Sequence, residues 1–172
     1  MKDVLIVIDM QKDFINGSLG TKEAEAIVGN VKKKVDEYLK AGHSVYFTRD
    51  THFDNYLETF EGKHLPVTHC VKDTDGWNIS DKLTTEGDNV HIIDKLTFGY
   101  TDWNHSDVIR EAADYEICGL CTDICVISNA LILRANYPDK DILVDSKCCA
   151  GVNPELHEAA LKVMASNQIE VI

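Results

Sequence analysis

The hydrophobic pattern along the chain alternates between short apolar runs and longer stretches with a helical period. The short runs are rich in β-branched residues, which predicts strands that are buried on both faces. These strands are predicted over residues 4–8, 44–48, 90–93, 115–120, 142–144 and 169–172. Helices are predicted over residues 27–39, 108–113, 123–136 and 154 to about 166. Strands separated by helices favour an α/β fold with three layers, α-β-α, and a mainly parallel sheet of about six strands.

Local features add detail to this pattern. Gly42 follows the first long helical stretch, where a helix is expected to end. A capping amide, a proline and an acid at 153–155 are typical of a helix start. The stretch 123–136 is apolar almost all round, so we expect a buried helix there. Residues 50–86 break the alternation, and a long irregular segment of this kind indicates a functional region.

The composition is that of an acidic globular protein. Its 172 residues fit one domain, which we assign to 1–172. Seventeen basic and 29 acidic residues give a net charge of −12, so nucleic acid is not an expected partner. The apolar run at 4–8 is too short for a signal or membrane segment. We therefore expect a cytoplasmic protein that acts on a small molecule, and the sequence leaves homo-oligomerisation open.

Polar residues stand where four of the predicted strands end. Asp9, Asp50 and Lys95 each close a strand, and Cys125 falls in the first turn of the helix after the fourth. Each alone has an ordinary structural explanation, but parallel strands bring their carboxyl ends to one sheet edge, where ligands bind. Thr122 is expected to cap the helix, and the helix dipole and Lys95 are expected to lower the thiol pKa.

These residue types suit nucleophilic catalysis. Asp9 can accept the thiol proton of Cys125 and later hand it to a leaving group. The backbone N–H groups of Cys121 and Cys125, at the helix start, can form an oxyanion hole.

A second set of polar residues lies in the irregular region. Asp50, His52 and His69 are ligand types that suit a divalent metal, zinc first and iron or manganese as alternatives. Taken alone this pattern is weak, and two surface histidines are the more ordinary interpretation. His64 is a spare candidate, and Glu61 is a candidate for the outer shell of the metal.

The cysteines allow a competing interpretation. Cys118, Cys121 and Cys125 have the spacing of a thiolate metal or redox cluster. Cys118 falls inside a predicted strand and Cys125 in a helix, so their thiolates would not converge easily. The vicinal Cys148 and Cys149 are expected to be packing thiols without a catalytic role.

Five motifs in the same order resemble the isochorismatase-like cysteine hydrolase superfamily, and within it the nicotinamidases. The resemblance covers essentially the whole chain. Its motifs are Asp9-Met10-Gln11-Lys12-Asp13-Phe14, Thr48-Arg49-Asp50-Thr51-His52, His69-Cys70-Val71 followed by Asp75-Gly76, Lys95, and Gly119-Leu120-Cys121-Thr122-Asp123-Ile124-Cys125-Val126.

The resemblance implies roles for these residues. Asp9, Lys95 and Cys125 look like the catalytic triad of the family, and a cis peptide is implied at Leu120–Cys121. Asp50, His52 and His69 look like the metal ligands, with waters or a pyridine nitrogen of the substrate completing the shell. Phe14 looks like the residue that packs on the substrate ring.

The chain departs from the family after Lys95, where the usual polar stretch is replaced by an apolar one at 96–100. This change concerns the specificity of the acyl pocket. The residues expected to line that pocket are Phe14, Trp77, Phe98, Tyr100 and Leu120.

The function predicted from the sequence is a metal-dependent amidase that hydrolyses nicotinamide, or a close aromatic carboxamide, through a thioester. One alternative is a related hydrolase of another small amide or of isochorismate. Alternatives of other classes are a thiolate metal or redox protein and a catalytically silent binding module.

Overall fold

A computed structural model describes residues 3–172 of the chain. Its centre is a six-stranded sheet in which every neighbouring pair is parallel, with the order β3-β2-β1-β4-β5-β6. Strands β1 to β6 span Val4–Ile8, Ser44–Asp50, Val90–Lys95, Asp114–Leu120, Asp141–Ala150 and Glu170–Val171. This confirms the predicted α/β fold with a six-stranded parallel sheet.

Within the described residues, six α-helices, two 3-10 turns and one π-helical turn connect these strands. Helices α1 to α6 span Lys12–Ile15, Lys22–Lys40, Phe60–His64, Asp107–Glu111, Ile127–Asn136 and Pro154–Ser166. Two 3-10 turns lie at Tyr56–Glu58 and Trp103–His105, and a π-helical turn at Thr122–Val126 precedes α5. Within residues 3–172, none of the helices combines the length and apolar character needed to cross a membrane.

The strand order fixes where a ligand site forms. From β1 the chain moves outward through β2 and β3, then returns to β4 on the other side of β1 and continues to β6. Right-handed crossovers therefore place α2 on one face of the sheet and α5 and α6 on the opposite face. The reversal between β1 and β4 is a topological switch point, and the crevice at the carboxyl ends of these strands is the expected ligand site.

The local sequence explains the main elements. All five residues of β1 are buried, as expected for the central strand of a covered sheet. Helix α2 begins at Thr21, whose hydroxyl accepts the N–H of Ala24 at 3.0 Å. Helix α6 begins as predicted, because Asn153 accepts the N–H of Leu156 at 2.9 Å and Pro154 follows it.

The structure corrects two details of the sequence prediction. β5 is much longer than the predicted 142–144, because its second half pairs with the end of β4 beyond a register shift. The helix over 123–136 is only partly buried, since Ile127 and Leu131 keep some exposure. An outer-layer helix has one face away from the sheet, and apolar composition alone does not reveal that face.

Candidate active site

The four predicted strand-end residues meet at one edge of the sheet. Asp9 follows β1, Asp50 and Lys95 close β2 and β3, and Cys125 lies in the π-helical turn after β4. The Nζ atom of Lys95 lies 2.7 Å from Oδ2 of Asp9 and 3.5 Å from Sγ of Cys125. All four side chains are buried. The structure thus brings a carboxylate, an ammonium group and a thiol within bonding reach of one another.

Burial controls the protonation of this group. It raises the pKa of the Cys125 thiol well above its usual value, and the nearby Asp9 charge adds to this, while Lys95 opposes it. The expectation of a lowered thiol pKa is therefore wrong, because loss of water outweighs the ammonium group. Burial also raises the pKa of Asp9 despite the ion pair with Lys95. The resting site thus holds a neutral thiol beside a carboxylate that readily takes a proton.

Thr48 fixes the carboxylate of Asp9. Its hydroxyl donates to Oδ1 of Asp9 at 2.6 Å and accepts the backbone N–H of Asp9 at 3.1 Å. The backbone φ of Asp9 is +48°, a conformation that L-residues seldom adopt. Sequence reasoning assigned Thr48 no role, although it stands in the motif that contains Asp50.

Gln11 joins the first two strand ends. Its fully buried amide donates to the carbonyls of Asp50 at 2.9 Å and Trp77 at 2.8 Å. The same amide accepts the N–H of Asp50 at 2.7 Å. Gln11 therefore fixes the position of the Asp50 backbone relative to Asp9. Its place in the first motif alone did not identify this role.

The turn that carries Cys125, the nucleophile predicted from the sequence, has an unusual backbone. The peptide bond Leu120–Cys121 is cis, which confirms the expectation drawn from the resemblance. The carbonyl of Cys121 accepts N–H groups from Ile124 at 3.1 Å and Val126 at 3.0 Å. At Gly119, φ is +121° and an added Cβ would lie 2.0 Å from the carbonyl oxygen of Ile8, so only glycine fits.

Thr122 does not cap this turn, which corrects the sequence prediction. Cys121 occupies the capping position without a side-chain bond, and the buried Thr122 is the first helical residue. The Thr122 hydroxyl instead lies 2.8 Å from Nδ1 of His157 in α6. Helix α6 is thereby fastened to the start of the nucleophile turn.

Asn129 links the nucleophile turn to the loop after β3. Its fully buried amide donates to the carbonyl of Cys125 at 2.8 Å and to that of Phe98 at 3.2 Å. It also accepts the N–H of Tyr100 at 2.9 Å. This residue was missed from the sequence, since a single Asn in an apolar helix has no diagnostic spacing.

Four side chains that could hold a metal ion lie together beside the predicted triad. Ligand atoms of Asp50, His52, Glu61 and His69 all lie within 4.8 Å of one another. Oδ2 of Asp50 is 3.0 Å from Nε2 of His52 and 3.8 Å from Nε2 of His69. Oε1 of Glu61 is 3.6 Å from both imidazole nitrogens. The three predicted ligands therefore converge, and Glu61 joins them.

The surroundings of this group suit a divalent metal ion. The Nδ1 atom of His69 lies 2.8 Å from the carbonyl of Val67, which orients Nε2 towards the other ligands. The ring of Tyr56 packs against His52 and His69 at 4.6 and 5.0 Å. Two imidazoles with two carboxylates match the donor set of zinc and related divalent ions. His64 is not a member, because its Nδ1 pairs with the carbonyl of Phe60.

Both centres open into one apolar cavity of about 850 Å³. Phe14 and Phe98 line it as predicted, and the ring of Phe14 lies 5.4 Å from that of His69. Tyr100, Trp77 and Leu120 are not among its lining residues, which corrects their predicted placement. The ring of Tyr100 packs on Trp103 and His105, the indole N–H of Trp77 donates to Thr51, and the Leu120 side chain is buried in the core.

The thiolate-cluster interpretation is not supported. Within residues 3–172, Cys118, Cys121 and Cys125 do not form a convergent set of ligands, and all six cysteines are free thiols. Cys118, Cys148 and Cys149 are buried, and burial raises the pKa of each. These three thiols act as packing residues.

Comparison with known proteins agrees with this geometry. The family model of the isochorismatase domain matches residues 3–172. The chain belongs to the isochorismatase family. A relative in this family is the nicotinamidase/pyrazinamidase of Mycobacterium tuberculosis, which is 27% identical, with 98% of this chain and 97% of that protein covered.

Two solved structures of the family share the fold over almost their whole length. The nicotinamidase/pyrazinamidase PncA from Bacillus subtilis superposes with a TM-score of 0.85 and 28% identity, covering 99% of each chain. The pyrazinamidase of Pyrococcus horikoshii in complex with zinc superposes with a TM-score of 0.79 and 25% identity, covering 100% of this chain and 99% of that one.

Proposed function

We propose that this chain is an amidase that hydrolyses nicotinamide, or a close aromatic carboxamide, to the acid and ammonia. The relatives named as nicotinamidases support the reaction class. The observation that carries the proposal is the contact of Lys95 with both Asp9 and Cys125, where Cys125 lines a cavity of ligand size.

The triad suggests the order of proton transfers. Sγ of Cys125 attacks the amide carbon while its proton passes to Asp9, since the neutral thiol needs a base. The backbone N–H groups of Cys121 and Cys125 donate hydrogen bonds to the oxyanion that forms. The C–N bond then breaks, and Asp9 returns the proton to the leaving nitrogen, which departs as ammonia. Asp9 next removes a proton from water, which attacks the thioester, releases the acid and restores the thiol.

Lys95 keeps its charge throughout. Burial lowers its pKa, but the charges of Asp9, Cys125 and Asp50 outweigh this and the net pKa is raised. The ammonium group therefore stabilises whichever of Asp9 and Cys125 carries the negative charge. This holds the two groups close in both halves of the reaction.

We assign the metal ligands to Asp50, His52, Glu61 and His69, with zinc as the first choice of ion. When bound there, such an ion supplies a Lewis-acidic position for a ring nitrogen or a water molecule. Phe14 lies against His69 at the wall of the cavity, where it can pack on the ring of a substrate.

The test is ammonia release from nicotinamide by the zinc-loaded protein. We expect Cys125→Ala to lower kcat at least about a thousandfold, because it removes the nucleophile. Cys148→Ala, which alters a buried thiol outside the cavity, is the matched control and should keep its activity. Nicotinamide turnover at more than a tenth of the parental rate by Cys125→Ala would falsify the nucleophile assignment.

A related hydrolase of another small amide or of isochorismate is the nearest alternative. Running isochorismate and a panel of amides against the same preparation separates it from a nicotinamidase. A single catalytic unit over 1–172 and a cytoplasmic location belong to the same proposal. They are tested by limited proteolysis and by cell fractionation.

A further inference from the structure

The cavity is larger than the proposed substrate needs. A cavity of about 150 Å³ holds a benzene ring, whereas this one measures about 850 Å³. A pyridine ring with its carboxamide would therefore leave most of the space unfilled. The metal ion proposed above takes only a small part of this space, and the rest holds either water or a further portion of the substrate.

Four of the apolar side chains that line this space are Leu96, Phe98, Ile124 and Val152, which we call the apolar shelf. The loops after β3 and β5 and the π-helical turn after β4 supply it, and all four residues line the same cavity as Cys125. Leu96, Phe98 and Val152 are 64%, 45% and 47% exposed. Large apolar side chains that are exposed together at a catalytic cavity are typical of a ligand-binding surface.

The shelf is held in place rather than free to collapse into the core. Asn129 bonds the backbone of Phe98 and Tyr100 to that of Cys125. At Gly99 an added Cβ would lie 2.4 Å from the Ile132 side chain, so the loop packs directly on α5. The exposure of Phe98 is therefore set by a preorganised backbone.

The position of Asp9 indicates which end of an amide faces the shelf. In the proposed reaction the leaving nitrogen must reach Asp9, which is fully buried and does not line the open cavity. The nitrogen side of the amide is thus enclosed and suits an unsubstituted NH₂ group. The acyl side then extends outwards into the open cavity that the shelf lines.

We propose that the shelf is a subsite for an apolar substituent on the acyl part of the substrate. The substrate class is then primary aromatic carboxamides whose ring carries an alkyl or aryl group. This inference rests on the proposed amidase function and specifies its substrate.

The experiment compares nicotinamide with two series of derivatives, using ammonia or amine release by the zinc-loaded protein. One series carries methyl, propyl and phenyl groups on the ring, and the other carries the same groups on the amide nitrogen. Each methylene that enters an apolar site contributes about fourfold to kcat/KM. We expect the propyl ring derivative to exceed nicotinamide at least tenfold and the N-substituted series to fall below it.

The variants Leu96→Ser and Val152→Ser test the location. In each, the ratio of kcat/KM between the propyl ring derivative and nicotinamide should fall at least threefold, and this ratio does not depend on the fraction of folded protein. Leu57→Ser and Val163→Ser are matched controls, since these side chains are 54% and 45% exposed and lie outside the cavity lining. Their ratios should equal that of the parent.

Several outcomes overturn the subsite. The subsite is contradicted if ring substituents give no gain in kcat/KM, or if the gain is unchanged in both shelf variants. In either case, turnover of nicotinamide would still support the amidase function. Stronger turnover of the N-substituted series reverses the assigned orientation. If the parent protein turns over none of these amides, and Cys125→Ala turns over none either, the proposed function itself is refuted.

Discussion

Replacing Asn129 by leucine tests whether one buried amide holds the nucleophile turn and the β3 loop together. The side chain makes three hydrogen bonds, to the carbonyls of Cys125 and Phe98 and from the N–H of Tyr100. Leucine has a similar size but no polar atoms, so the change removes the bonds without opening a large cavity. The perturbation therefore isolates the polar contacts.

The magnitude follows from those contacts. Each bond contributes about 1 kcal/mol net, and the Tyr100 N–H left without its acceptor adds about 1–2 kcal/mol. We expect the free energy of unfolding, measured in urea, to fall by about 4–5 kcal/mol. Because the backbone of Cys125 loses its tether, kcat for the proposed amidase should fall more than tenfold in the protein that remains folded.

The matched control is Asn30→Leu. Asn30 is exposed and donates one bond, to the carbonyl of Lys147 at 2.8 Å. Its replacement should change the free energy of unfolding by less than about 1 kcal/mol. A loss below about 1 kcal/mol in Asn129→Leu, or equal losses in the two variants, would refute the assignment of Asn129 as a tether.

Three further predictions concern charge and metal binding. Glu61→Gln should weaken zinc binding at least tenfold in calorimetric titration, and His64→Gln should not change it, because only Glu61 reaches the ligand group. Thr48→Val removes a hydrogen bond that lowers the pKa of Asp9, so the acid limb of the kcat/KM profile should move to higher pH; an unmoved limb contradicts this. Burial raises the pKa of Asp145, but Lys34 outweighs this effect and the net pKa is lowered. The stability that the Lys34–Asp145 pair contributes is therefore present above pH 4 and lost at lower pH. Urea unfolding should show that loss in the parent and a shallower one in Lys34→Met.

The sheet and the strand-end residues could be predicted because short-range pattern determines them. The run Val4–Ile8 is apolar at every position and is too short for a typical helix. It therefore predicts a strand that is covered on both faces. Parallel strands then bring their carboxyl ends together without further information. For this reason the sequence predicts that Asp9, Lys95 and Cys125 lie together at one edge of the sheet, as they do in the structure.

Properties that depend on summed surroundings could not be predicted in this way. The pKa of Cys125 rises because burial outweighs Lys95, and burial is known only when all the covering elements are in place. Thr122 was assigned as a cap because its residue type suits one. The π-helical turn shifts the capping position to Cys121 and leaves Thr122 to His157. Similarly, Tyr100 and Phe98 are neighbours in sequence, yet only Phe98 faces the cavity.

Asp50 shows why the triad and the metal-ligand group belong to one site. Its Oδ1 lies 3.4 Å from the ammonium group of Lys95, and its Oδ2 lies 3.0 Å from the imidazole of His52. Asp9 and Asp50 are both buried, and the single positive charge of Lys95 cannot neutralise two carboxylates. The half-buried Glu61 adds a third carboxylate next to Asp50. An uncompensated buried charge is costly, so this corner of the fold favours an additional cation. The carboxylate of Asp50, which would hold that cation, also contacts Lys95 beside Asp9 and Cys125. A change in the metal-ligand group must therefore alter the electrostatics of Lys95, and a change at Lys95 must alter those of the metal-ligand group.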